Sequence, residues 1–143
     1  MLDEPVRKAM RRGKVLKAAP QTSVFKAAGL MAAKDVGAIL VVEDGQLIGI
    51  FTERDMLVRV VARGLDARAT RLSDVMTRAP HTIDADKPFG YALLVMHQKG
   101  FRHLPVINDG KLIGIVSSRS AMDPELEEFA FEATRREHFS AMR

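Results

Sequence analysis

The sequence predicts an α+β protein: two tandem β-α-β-β-α repeats packed with pseudo-two-fold symmetry, plus short N-terminal and C-terminal helices. Three observations carry this. Apolar runs within residues 38–51 are split by Asp44-Gly45, and those within 104–116 by Asp109-Gly110. Asp-Gly between apolar runs is the strongest short hairpin signal. Each hairpin follows a stretch with apolar residues at helical spacing. The whole pattern also recurs. Shifting residues 22–55 by 65 matches eleven of 34 positions without a gap, with Leu47-Ile-Gly-Ile50 against Leu112-Ile-Gly-Ile115 as the strongest block. Chance gives about two matches, so the chain is an internal duplication.

The elements follow in order. Residues 3–12 read as a short helix, with Asp3 as cap, Pro5 in the first turn and Gly13 as stop. Val15 to Pro20 is a short extended piece. Val24, Ala27, Ala28, Met31 and Ala32 predict an amphipathic helix over 23–34. After the first hairpin, Met56, Leu57, Val60 and Val61 place one apolar side on a helix from 53 to 63, and Gly64 ends it. Residues 65–71 are polar and basic, a linker. The order then repeats. Leu72–Met76 echoes Val6–Met10, and Pro80–Ile83 is the second extended piece. Residues 87–99 form the second long helix, buried through Phe89, Ala92, Leu93 and Met96. The domain reading is 1–66 for the first repeat with its N-terminal helix, 67–122 for the second, and 123–143 for a C-terminal helical tail. That tail opens with Asp123 as cap and Pro124 at the first helical position, and carries Leu126, Phe129, Ala130 and Ala133 as an apolar stripe.

One unit of this size is too small to be comfortable alone. Two units packed face to face bury the sheet face that each leaves open. Such tandems leave clefts at the internal interface, where ligands bind.

Composition narrows the function classes. The chain has 143 residues, 47% apolar, and no cysteine, which excludes disulfides and thiolate metal sites. No apolar run reaches the about 18 residues of a membrane span. The N-terminus lacks the apolar core of a signal peptide, so a cytoplasmic location is the default. Net charge is +4, from 22 Lys and Arg against 18 Asp and Glu. The basic pairs Arg7-Lys8, Arg11-Arg12 and Arg135-Arg136 are too few, and too poor in interleaved aromatics, for a nucleic-acid footprint. An anionic small ligand fits this balance equally well.

Few residues are placed for chemistry. Thr52-Glu-Arg-Asp55 reads as a capping box, with Thr52 at N-cap and an acid three residues on. The same place is also an anion site, because a helix start presents free N–H groups and positive potential. Arg102-His103 precedes a strand and offers a charge-assisted contact to phosphate. Arg54 and Arg119 repeat across the duplication and read either as surface charge or as phosphate contacts. His81, His97 and His138 are scattered rather than clustered. The glycines sit in hairpins, not in a phosphate-binding loop. No nucleophile–base or paired-carboxylate set emerges, so the chain reads as a non-enzyme.

Gly37–Asp55 and Phe101–Ser120, with Asp74-Val-Met76 and Pro20–Val24, resemble a tandem pair of CBS domains, the regulatory unit also called a Bateman module. The resemblance covers about residues 6–122. It implies a nucleotide held by a Gly-x-x-Ser/Thr-x-x-Asp signature, which Gly49-Ile-Phe-Thr-Glu-Arg-Asp55 matches in full. On that basis Thr52 meets the phosphate, Asp55 accepts from the ribose hydroxyls, and Arg102-His103 reaches the phosphate from the other copy. Gly114-Ile-Val-Ser-Ser-Arg-Ser120 keeps the hydroxyl at Ser117 but has Ser120 where the acid belongs, and Gly37-Ala38 lacks the basic pair. Both departures point to one working site per chain. The resemblance further implies a disc-shaped homodimer through the helices. The expected ligand is an adenine nucleotide (AMP, ADP or ATP), with NADH or S-adenosylmethionine as alternatives. Its binding is read by a separate effector protein, and no cofactor is required. A competing reading is a nucleic-acid or protein interaction module using the basic ends. A weaker one is a purely structural dimer.

Overall fold

In the computed structural model, Asp44 and Gly45 both take positive φ, 50° and 76°, and Asp109 and Gly110 repeat this at 51° and 75°. Two successive positive φ values suit the tight turn whose twist matches a hairpin, and this is why Asp-Gly stands there twice. The structure describes residues 2–10, 15–121, 129 and 132–137, without the side chains of 120 and 121.

The element order is α1 (Val6–Ala9), β1 (Lys17–Ala18), α2 (Val24–Lys34), β2 (Ala38–Glu43), β3 (Gln46–Thr52), α3 (Glu53–Asp55, continuing as a π-helix over Met56–Val61), α4 (Leu72–Val75), β4 (Thr77–Arg78), β5 (Ile83–Asp84), α5 (Phe89–Lys99), β6 (His103–Asn108) and β7 (Lys111–Ser117). A 3₁₀ turn over Ser118–Ala121 follows. Strands β1-β2-β3-β4 form one sheet and β5-β6-β7 the other. In each, the first strand pairs parallel with the second and the hairpin is antiparallel. The α+β tandem is as expected, with short helical segments at both ends; residues 132–137 are helical.

Three clusters make the core. Val24, Ala27, Met31, Ile39, Val41 and Phe51 fill the first repeat together with Leu72 and Val75 of α4 and its C-cap Met76. Phe89, Ala92, Met96, Leu104, Val106 and Val116 fill the second, together with Val6 of α1. Each short helix thus seals the repeat that it does not begin. Arg7 reinforces this with a 2.9 Å ion pair to Asp86. The third cluster, Ala38, Leu40 and Ile50 with Leu47, Leu112 and Ile115, is the seam between the sheets. The duplicated Leu-Ile-Gly-Ile block lies on it. Strand β2 alternates between the first core and the seam. With both faces covered, its sequence is a continuous apolar run rather than an alternating one.

Several expectations are corrected. The first helix starts at Val6 with Pro5 as its cap, not Asp3. Residues 2–5 are instead held along α5, where Gly90 and Phe89 amides donate to the Leu2 and Glu4 carbonyls. Helix α5 begins at Phe89 because Pro88 keeps extended backbone and disfavours helix at Lys87. The helix after the first hairpin widens to π geometry. The expected apolar side is split: Val60 is buried and Met56 packs on the first core, whereas Leu57 and Val61 are 62% and 64% exposed. The polar stretch 65–71 is no free linker: the Thr70 hydroxyl donates to the Asp66 carbonyl at 2.7 Å, and the Val24 amide donates to Thr70. Strand β4 was not expected. The caps Asp123 and Pro124, and Leu126 and Ala130 of the tail stripe, lie outside the described residues; Phe129 is exposed.

Candidate functional site

Thr52 ends β3 and caps α3. Its hydroxyl accepts from the Asp55 amide at 3.2 Å, and its own amide donates to Asp55 Oδ2 at 3.0 Å. The capping box is therefore complete. Asp55 does more than cap. Its Oδ2 also accepts from the Thr52 hydroxyl at 3.1 Å, and its Oδ1 accepts from the Thr77 hydroxyl at 3.3 Å. The Arg59 guanidinium stands 3.5 Å from Oδ1, one turn along. A buried carboxylate with four donors around it has its acceptor capacity filled. The helix start is also less open than the sequence suggests, because the Glu53 amide donates to the Gly37 carbonyl at 3.0 Å.

A cavity of about 450 Å³ opens beside Asp55, inside the range of small-molecule sites. The first repeat supplies Thr52, Arg54, Asp55 and Arg59 to its walls; Lys99, Gly100, Phe101 and His103 come from the second. The segment joining β4 to β5 closes it through Thr77–His81. His81 stacks on Phe101 with ring centroids 5.6 Å apart. Arg54, Arg59, Arg78 and Lys99 face one carboxylate, so the walls are strongly cationic. Arg59 and Arg78 are tethered to the backbone at Met76 and Ser73.

The other predicted residues divide among neighbouring places. Arg102 does not line this cavity. It lines an adjoining one of about 350 Å³, together with Thr52, Arg54 and His103. Arg119 lines a third depression between α2 and the π-helix, together with Glu53. Ser117 pairs with His103 across the β6–β7 hairpin and is not among the residues lining these three cavities. His103 is largely buried beside Glu53. Burial holds its imidazole below the ordinary value; Glu53 opposes this, and Arg102 and Arg119 add to it.

Sequence reasoning missed Arg59, Thr77, Arg78 and Lys99. A sign for Arg59 was available, since it stands four residues after Asp55 on one helix face. Thr77 and Arg78 carry no local sign. They matter because β4 docks antiparallel on β3, with Gly49 opposite Arg78 and Ile50 opposite Thr77. Among the described residues, no group of three or more His, Asp or Glu is placed to hold a metal ion. No described helix is long and apolar enough to cross a membrane.

Comparison with known proteins agrees with this architecture. The CBS domain model matches residues 6–62 and again 72–124. The chain is 37% identical over 150 residues to the meiotically up-regulated gene 70 protein of Schizosaccharomyces pombe, covering 90% of this chain and 20% of that protein. It is 40% identical over 110 residues to the CBS domain-containing protein CBSCBSPB2 of Arabidopsis thaliana, covering 76% and 20%. The chain thus spans about a fifth of the length of these relatives. Among solved structures, an uncharacterised conserved protein of Pyrococcus horikoshii superposes with TM-score 0.81 at 30% identity, over 87% of this chain and 94% of that one. A CBS domain protein of Pyrobaculum aerophilum complexed with AMP shares the fold at 23% identity and TM-score 0.74, over 81% and 88%. A two-repeat chain with these matches over most of its length belongs to the CBS domain family and carries the domain twice.

Proposed function

We propose that this chain is a non-catalytic regulatory module that senses an adenine nucleotide in the cavity beside Asp55 and passes the binding event to a separate partner protein. The observation that carries the reading is one cavity whose walls come from both repeats, with Thr52 and Asp55 on one side, His103 on the other and a surplus of fixed cations. A phosphate-bearing ligand complements those walls. A sulfonium such as S-adenosylmethionine adds positive charge to a cationic site, so AMP, ADP or ATP are favoured, with NADH behind them. To receive ribose hydroxyls, Asp55 exchanges its Thr77 or Arg59 contact for them.

Because the cavity spans the repeats, a ligand that prefers one spacing of the halves shifts their equilibrium. Only that differential affinity is transmitted. The outward apolar side chains Leu57, Val58 and Val61 of the helix after β3, with Tyr91 and Leu94 of α5, suit a homodimer through the helices. A monomer mass by light scattering removes that part of the reading.

A thermal-melt panel of AMP, ADP, ATP, NADH and S-adenosylmethionine tests the ligand. We expect the phosphate-bearing adenosines to raise the melting temperature and S-adenosylmethionine to do least. If none shifts it at about millimolar concentration, where a ligand with a Kd of about 10 μM stabilises the fold by roughly 2.7 kcal/mol, the sensing reading is wrong.

A further inference from the structure

One of the donors around Asp55 has a second attachment. Arg59 Nε stands 3.5 Å from Asp55 Oδ1, while its Nη1 donates to the Met76 carbonyl at 3.0 Å and to the Val75 carbonyl at 3.4 Å. Thr77, the residue after Met76, donates to the same Oδ1 at 3.3 Å. The ring so closed ties the cavity carboxylate to the α4–β4 junction and to the helix that follows β3. Its weakest member is the Arg59–Asp55 pair. That pair is longer than the Thr52 and Thr77 contacts to Asp55, and the Arg59 side chain is 39% exposed, so water screens it. Arg59 is also the one polar side chain in the π-helical turn Met56–Val61. There the Ala62 amide donates to the Leu57 carbonyl at 2.9 Å, and the Leu65 amide to the Val60 carbonyl at 3.0 Å, five residues back in each case. Turns of this kind are rare and stand mostly at functional sites. The inner side of this one is fixed by Met56 and Val60 in the first core. Its outer side carries Leu57, Val58 and Val61, each at least half exposed.

We propose that Arg59 is a positioning residue that carries occupancy of the cavity to the outer face of this helix. This rests on the reading that an adenine nucleotide binds beside Asp55. A ribose hydroxyl reaching Oδ1 displaces the longest contact first, so Arg59 yields and Thr77 stays. Arg59 then holds only the carbonyls of Val75 and Met76, and the π-helical turn loses its tie to the carboxylate. The outer face, with Leu57, Val58 and Val61, opens more often. Linkage makes the effect reciprocal: a ligand that must break the pair binds better where the pair is missing. A cation that contacted the ligand would have the opposite sign.

Hydrogen exchange over residues 56–65, read by mass spectrometry beside calorimetry of AMP binding, tests this on the full chain. Arg59→Met keeps an apolar stem and removes the donors. Lys34→Gln, at the exposed end of α2, controls for charge loss elsewhere. In the wild type, saturating AMP should quicken exchange over 56–65 by about threefold. Ligand-free Arg59→Met should show that faster exchange already, and AMP should add nothing to it. AMP should also bind Arg59→Met about two- to threefold more tightly, the scale of a weak, half-exposed pair. Lys34→Gln should follow the wild type in both measurements. Two results overturn the relay and leave the sensing reading intact: AMP binds the wild type without changing exchange over 56–65, or Arg59→Met keeps the AMP-dependent change. A tenfold loss of AMP affinity in Arg59→Met overturns it too, because Arg59 is then a ligand contact. If no adenine nucleotide binds the wild type, both readings fall together.

Discussion

The two hairpins end differently, although the scaffold beneath them is a copy. After Gly49 the first repeat runs through Thr52 into a helical segment ending at Val61, and Asp55 closes its capping box. After Gly114 the second repeat runs through Ser117 into a 3₁₀ turn over Ser118–Ala121, where the continuously described residues end. Among the described residues the first sheet has four strands and the second three. The turns, the Leu-Ile-Gly-Ile seam and the cross-packed short helices are duplicated, whereas the carboxylate and its donors Thr77 and Arg59 are not. Packing needs are met by shape and can be copied wholesale. A polar site needs every partner at once, and losing the acid removes the reason to keep the rest.

The strongest way to break this comparison is at the acid. Asp55→Ala removes the acceptor for four donors and leaves Arg59, whose side chain is 39% exposed, with only its backbone acceptors. Leaving buried donors unsatisfied costs about 1–3 kcal/mol, so a loss of about that size is expected in chemical unfolding. Any nucleotide-induced rise in melting temperature should vanish as well. Ser120→Ala should leave that rise unchanged. If Ser120→Ala lowers the shift as far as Asp55→Ala does, the two halves are functionally equivalent and the asymmetry carries no meaning. Stoichiometry sharpens the point: calorimetry should return one nucleotide per chain.

A second contrast lies in the glycine that opens each signature. A side chain at Gly49 would run into Met76 and stand 3.1 Å from the Thr77 carbonyl; at Gly114 the three nearest described atoms all belong to the Met10 side chain, with the sulfur at 2.9 Å. A methionine end gives way easily, while the β3–β4 ladder does not. Gly49→Ala should therefore cost about 1–3 kcal/mol, as overpacking does, and Gly114→Ala less than about 1. Urea melts of the two variants decide it, and equal losses would mean that β4 is free to move. The signature glycine is then a packing requirement that happens to stand beside the site.

How much of this was legible beforehand depends on sequence distance. The hairpins were readable because Asp-Gly fixes its own backbone, and α2 because Ser23 caps it while Val24, Ala27 and Met31 repeat at helical spacing. The capping box at Thr52 was readable for the same local reason. The direction in which Leu57 and Val61 face was not, because a π-helix rotates the stripe relative to a 3.6-residue period. The placement of Arg102 outside the main cavity, and of Thr77 inside it, depends on strand docking between segments that share no local pattern. Residues 77–81 reach the site only because β4 pairs with β3. The basic pair at 102–103 therefore splits: His103 faces both cavities, and Arg102 only the smaller.

The finest test of the asymmetry is His103, which the first repeat replaces with Ala38. Its imidazole is held below the ordinary value, first by burial and then by Arg102 and Arg119, against the pull of Glu53. In the unfolded chain it protonates near about pH 6.5; in the folded chain it stays neutral until lower pH. The unfolded state thus binds more protons in that window, and the ligand-free protein loses stability as pH falls below about 6.5. An anionic phosphate beside His103 reverses the sign. It raises the imidazole's proton affinity, so binding takes up a proton and strengthens as pH falls through the same window. Between about pH 7.5 and 5.5 the ligand-free melting temperature should drop while the AMP-induced shift grows, by a few-fold in affinity at most. The phosphate's own titration enters both curves, so the informative quantity is the difference between wild type and His103→Gln. That variant should flatten both trends. Parallel pH curves for the two proteins would place the bound phosphate away from His103, and with it away from the wall that the second repeat contributes.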